Sequence, residues 1–137
     1  MKLNGVIQRK LALLDQEVSW LESTPAALSE EAFLADRLYQ KGAERGLQLA
    51  VEIVIDIAER LVSLQGAGPV SSGGEALKRL EGLGVIKEAA TYQQMVRFRN
   101  LIVHQYETID PKFVFAILKE HLGDFRRFRG EIDHFCQ

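Results

Sequence analysis

An all-α, antiparallel bundle of about five helices is the fold class this sequence predicts, and three observations carry it. Apolar residues recur at intervals of three and four in one segment after another, the period of an amphipathic helix. Breaks at Thr24-Pro25, at Gly66 to Pro69 and at Asp110-Pro111 separate those segments. No stretch shows the sustained apolar-polar alternation of a half-buried strand.

The first helix is expected from Leu3 to about Leu21, where Leu3, Val6, Ile7, Leu11, Leu14, Val18 and Leu21 share a face. Ser29 is placed to cap a second, with Glu30 and Glu31 in its first turn near the positive end of the helix dipole. That helix is expected to run unbroken to about Gln65. In its second half the apolar residues from Leu47 to Leu64 cover an arc of roughly 200°, wide enough to suggest one side in its own bundle and one against another chain. Its polar line passes through Lys41, Arg45, Gln48, Glu52, Asp56 and Glu59. This is either a solvated face with ion pairs or, at Glu52 and Asp56, a pair of carboxylates that orient a cation in a cleft.

Gly66 to Gly74 lacks the Lys-Ser or Lys-Thr ending of a phosphate-binding loop and reads as a connection. A short helix follows from Glu75 to Leu83, then a fourth from about Lys87 to Tyr106. Asp110-Pro111 opens a fifth that continues to Phe135, with a break at Gly130.

The 137 residues suit one domain, spanning 1–137, long enough to bury roughly two-thirds of the unfolded surface. A composition 47% hydrophobic and 26% charged with three prolines is that of an ordinary globular protein. The single cysteine, Cys136, leaves no intrachain disulfide and fits a reducing cytoplasm. No apolar run approaches the roughly 18 residues of a membrane span, and no signal peptide is apparent. The formal charge of −2 gives no global attraction to nucleic acid, so any contact must come from a local cluster such as Arg97 and Arg99 or Arg126, Arg127 and Arg129. The latter reads more readily as a solvated face, and His121 and His134 have no evident partners.

Chemistry concentrates between Met95 and Tyr106, which carries Arg97, Arg99, Asn100, His104 and Tyr106 among apolar residues. Met95, Phe98, Leu101 and Ile102 are expected to form the inward stripe. Arg97, Asn100 and His104 share a second face, while Arg99 lies about 140° from His104 on an ideal helix. Histidine moves protons near neutral pH, and arginine grips a phosphate bidentately and stabilises charge building on it. The combination suits phosphodiester cleavage, and RNA brings its own nucleophile in the 2′-hydroxyl. No metal-binding motif such as His-Glu-x-x-His occurs, and neither metal nor cofactor is expected. Cleavage needs a base and an acid, yet the stretch offers one histidine; a two-fold dimer would supply two.

Arg99-Asn100-Leu101-Ile102-Val103-His104-Gln105-Tyr106 resembles the Arg-x4-His-x-Tyr motif of the HepT family, toxins of the HEPN superfamily. Leu49 to Ala58 is similar to that family's long second helix and Leu83-Gly84-Val85-Ile86 to its following turn, so the likeness spans roughly Leu34 to Phe115. The resemblance implies a HEPN-like bundle, a two-fold homodimer with both motifs lining one cleft, and metal-independent RNase activity within a type VII toxin–antitoxin system. RNA, not DNA or a membrane, is then the substrate. The implied partner is an MntA-like nucleotidyltransferase that silences the toxin by transferring AMP to the motif tyrosine. Carried over, Arg99 stabilises the phosphorane-like charge, His104 is the general acid/base, Asn100 positions phosphate or histidine, and Tyr106 accepts AMP. The wider superfamily tolerates up to six residues between Arg and His, which also admits Arg97; helix faces favour Arg97 and the tighter motif favours Arg99. Arg99 is taken as principal and Arg97 as a second phosphate contact. An alternative stays open: a non-catalytic module that binds a nucleotide or substrate in complex with a nucleotidyltransferase, since a cleft of Arg, Asn, His and Tyr binds nucleotides as readily as it cleaves them.

Overall fold

The computed structural model describes residues 5–104 and 109–137, and every regular element within them is helical. The order is α1 (Gly5–Ser23), a 3-10 turn (Pro25–Ala27), α2 (Glu30–Leu34), α3 (Arg37–Leu64), α4 (Gly73–Gly82), α5 (Ala89–His104), α6 (Pro111–Glu120) and α7 (Leu122–Phe135). The all-α class holds, but two of the expected helices are each divided.

The second helix breaks after Leu34. Ser29 caps α2 by accepting the Ala32 N–H, and Asp36 then caps α3 by accepting the Tyr39 N–H at 3.1 Å. The expected helix ran unbroken through this position, but the Asp36 carboxylate satisfies an orphan donor and starts a new helix. The turn lets Phe33 bury fully and meet Phe115 of α6 at a ring separation of 5.3 Å. The last helix breaks at His121 instead of Gly130. The His121 N–H closes α6 on the Ile117 carbonyl, and its ring meets Asp124 in the first turn of α7 at 3.0 Å. Gly130 lies inside α7.

α3 is the centre of the bundle, with α1 on one side, α4 and α5 on another, and α6 and α7 closing the rest. Ala43, Leu47, Ala50, Val54, Ile57 and Leu61 are all fully buried along it. Most of its broad apolar arc is therefore covered within one chain, with Ile53 partly buried and Leu64 about half exposed, and the breadth alone does not ask for a second. The edge of the Trp20 ring and the Leu21 side chain of α1 lie against Gly42 and Gly46 of α3, whose missing side chains let the two helices approach closely.

Carboxylates join the helix ends. Glu75 accepts the Ser71 N–H while Ser72 caps α4 on the Glu75 N–H, and Glu81 accepts the Ala89 N–H that begins α5. Glu131 of α7 takes both the Lys87 N–H and the hydroxyl of buried Tyr92, whose ring meets Phe128 edge-on. Arg126 and Arg129 do not form the expected solvated face. They reach Asp15, Ser19 and Glu22 of α1 and tie the first helix to the last, leaving Arg127 the most exposed of the three. No helix among the described residues is long and apolar enough to cross a membrane.

Candidate active site

Helix α5 decides where the site's side chains point. Its buried residues are Ala89, Tyr92, Met95 and Phe98. On a helix of 100° per residue the inward arc centres on Arg99, about 20° from Tyr92 and about 40° from Met95. Leu101 lies about 160° from Arg99, and it is half exposed. The stripe expected through Leu101 is thus wrong in that residue: the arginine takes the core-facing place, its aliphatic stem packed and its charge tucked at the seam with α3.

At that seam the Arg99 Nε stands 3.8 Å from Glu52 Oε1, and Glu52 Oε1 accepts a hydrogen bond from Gln48 Nε2 at 3.1 Å. Arg99 Nη1 donates to Asn100 Oδ1 at 2.8 Å. The Nε is buried and makes no hydrogen bond, the sole such side-chain atom among the described residues. A chain of Gln48, Glu52, Arg99 and Asn100 therefore holds the guanidinium from two sides. Asp56, paired with Glu52 in the sequence reading, is not part of it; its carboxylate bonds Lys10 of α1 at 2.6 Å. Gln48 was passed over as a site residue, although its position four before Glu52 is the spacing at which helix side chains meet.

Arg97 is exposed on the outward side of α5, and His104, also exposed, is the last residue of that helix. The two fall within about 20° of each other and about 140–160° from Arg99. One chain therefore holds Arg99 and Asn100 together and places His104 on a different face. Tyr106 lies outside the described residues. Among those residues no group of three or more His, Cys, Asp or Glu side chains could hold a metal ion.

Beside the seam runs a cavity of about 190 Å³ between α3, α5, α6 and α7, floored by Leu47, Val51, Met95 and Phe98 and flanked by Phe113 and Phe125. The His121–Asp124 pair lies on its rim. Phe113 stacks at a tilt on Phe98 at 5.7 Å and is still 45% exposed. Leu101 and Val103 of α5 are also partly bare, on sides of the helix about 160° apart.

The chain is 26% identical over 128 residues to the mRNA nuclease HepT of Shewanella oneidensis, covering 92% of this chain and 95% of that protein. It is 25% identical over 132 residues to the tRNA nuclease HepT of Aphanizomenon flos-aquae, covering 95% and 89%. Among solved structures it is similar to the tri-AMPylated HEPN toxin of Shewanella oneidensis in complex with MNT antitoxin, with a TM-score of 0.88 and 25% identity over 96% of this chain and 99% of that one. The match to the family described as ribonuclease HepT-like runs through residues 14–132, from α1 into α7, and the chain belongs to that family.

Proposed function

We propose that this chain is the toxin of a toxin–antitoxin pair, an endoribonuclease whose active site is completed when two copies bring their α5 helices together. The observation that carries this reading is the setting of Arg99: half-buried, held by Glu52 and Asn100 at the α3–α5 seam, with His104 five residues on but on another face. A dimer resolves the separation by presenting one chain's histidine to the other's arginine. The bare Phe113 and Leu101 supply apolar surface for such a pairing.

In the reaction His104 of one copy takes the proton of the 2′-hydroxyl as its oxygen attacks phosphorus. The partner's His104 protonates the departing 5′-oxygen, and Arg99 stabilises the charge that accumulates on the phosphoryl oxygens. The new 2′-O–P bond closes a 2′,3′-cyclic phosphate and the broken P–O5′ bond leaves a 5′-hydroxyl. Asn100 fixes the guanidinium plane, and Arg97 is a second phosphate contact. The regulating partner is a nucleotidyltransferase antitoxin that transfers AMP to Tyr106. This is supported by the tri-AMPylated state of the similar toxin and its complex with MNT antitoxin. AMP there adds bulk and negative charge, both of which oppose RNA.

The test is cleavage of RNA in EDTA by the purified chain, with analysis of the ends. His104→Ala should lose about 10²-fold or more, Arg99→Ala about 10²- to 10³-fold, and Arg97→Ala less than either. Ends carrying 3′-hydroxyl and 5′-phosphate, or full dependence on a divalent ion, would overturn the mechanism. Nucleotide binding without any cleavage would establish the non-catalytic module instead.

A further inference from the structure

The Lys41 line of α3 continues past Glu52 toward the start of the helix as three cations, Arg37, Lys41 and Arg45, all exposed. None makes an ion pair among the described residues, and although Arg9, Arg60, Lys87, Arg97, Lys112 and Lys119 make none there either, these three alone stand in line on one helix, while Lys10, Lys78, Arg79, Arg99, Arg126, Arg127 and Arg129 each find a carboxylate. Steps of four residues set the three about 40° apart and about 6 Å along the axis, one above another on one side of the helix. Glu52 lies on the same side, about 10 Å beyond Arg45, and Glu52 is the residue that faces the Arg99 guanidinium. Helix stability does not explain the placement. These cations occupy the half of α3 nearest the positive end of its dipole, and its first turn holds no acidic residue. Glu44, beside the line, bridges none of them. On a chain with a net charge of −2, a run of unneutralised cations leading to one arginine is a local exception.

We propose that Arg37, Lys41 and Arg45 form a track for the phosphodiester backbone of single-stranded RNA, leading the strand along α3 to the Arg99 seam. This rests on the reading of the chain as acting on RNA. The track has no base-reading groups of its own, so its contribution is salt-dependent and indifferent to sequence. Regular axial spacing and freedom from internal partners suit the successive charges of an extended strand, which a positively charged groove follows in single-strand binders generally.

The test uses the His104→Ala chain, which keeps RNA intact, and a fluorescein-labelled single strand of about 12 nucleotides, within the usual site size of such binders. Anisotropy titrations at several salt concentrations give the dependence of log Kd on log salt. Replacing Arg37, Lys41 and Arg45 together with alanine should weaken binding at least tenfold at low salt and reduce the slope by about 2, since each phosphate contact contributes about 0.7 on a single strand. Arg37→Lys with Arg45→Lys should keep the slope, because charge alone is required. Arg60→Ala removes a cation from the same helix about 100° off the line and should leave it unchanged. Thermal unfolding identical to the parent's confirms that the triple variant is folded. An unchanged slope in the triple variant, absence of RNA binding by the parent chain, or a loss confined to association with the antitoxin would each overturn the track. The two readings fail separately: cleavage by the native chain with an unchanged triple-variant slope removes the track alone, and track-dependent binding without cleavage removes the catalytic reading alone.

Discussion

Replacing Gly46 with alanine sets a methyl group against a side chain that has nowhere to go. An added Cβ would lie 2.8 Å from Leu21 Cδ2 and 3.3 Å from its Cγ, and Leu21 is fully buried. Overpacking of this kind costs about 1–3 kcal/mol, against a gain of about 1 kcal/mol for alanine over glycine inside a helix. The expected balance is a loss of about 1 kcal/mol, or about 4 °C in Tm for a domain of this size. Gly42, one turn earlier, is the internal comparison. A Cβ there would meet the tip of the Trp20 ring at 2.9 Å, but Trp20 is 40% exposed and can pivot outward. Gly42→Ala should therefore be neutral or stabilising by about 0.5 kcal/mol, the helix-propensity gain less the cost of moving the ring. Thermal unfolding followed by circular dichroism reads both. Gly46→Ala as stable as the parent, or Gly42→Ala the more damaging of the two, would refute the close approach of α1 and α3 on which the placement of α3 depends.

Tyr92→Phe should cost about 1.5 kcal/mol, the value of a hydrogen bond to a charged acceptor, measured by urea unfolding. Burial, and then the Glu131 carboxylate, hold the Tyr92 hydroxyl well above the usual phenol range. Its stabilisation is present below the unfolded pKa of about 10 and is lost as pH rises beyond it, so the native chain should weaken above that pH more steeply than the variant. Glu81 has the opposite sign. The Ala89 N–H, followed by Lys78, lowers its pKa, so its contribution is present above the normal carboxylate range and lost as pH falls through it. Glu81→Gln should flatten the acid limb of a stability–pH curve, and an unchanged limb would count against the α4–α5 clasp. Phe113→Asp puts a charge at the half-exposed ring that packs on Phe98, with thermal unfolding as the check that the bundle stays folded. It should shift sedimentation from dimer toward monomer and reduce RNA cleavage in parallel, and a dimer that survives with full activity would sink the shared-site reading.

The helical class was legible because amphipathic periodicity needs only neighbouring residues, and the breaks at Pro25, Gly66 and Pro111 are local chemistry as well. What local chemistry did not disclose was which polar residues act as caps. Asp36 and His121 are single residues in otherwise helical patterns, and only the burial of Phe33 against Phe115 and the pairing of His121 with Asp124 give the chain reason to turn there. The reading of Arg126 and Arg129 as solvated failed for a related reason: their acidic partners lie more than a hundred residues earlier in the chain.

The candidate site divides the same way. The sequence by itself determined that Arg99, Asn100 and His104 lie on one helix with the spacing of a HepT-like motif, and that this stretch carries a single histidine. The tertiary structure decided that Arg99 faces inward, that Glu52 and Gln48 are its neighbours, and that Asp56 serves Lys10 instead. The physical reason is that helical period specifies which residues share a face but not which face meets the core. That choice is made by the summed burial of Tyr92, Met95 and Phe98 against α3 and α7, which draws the stem of a long cation inward and leaves Leu101 outside.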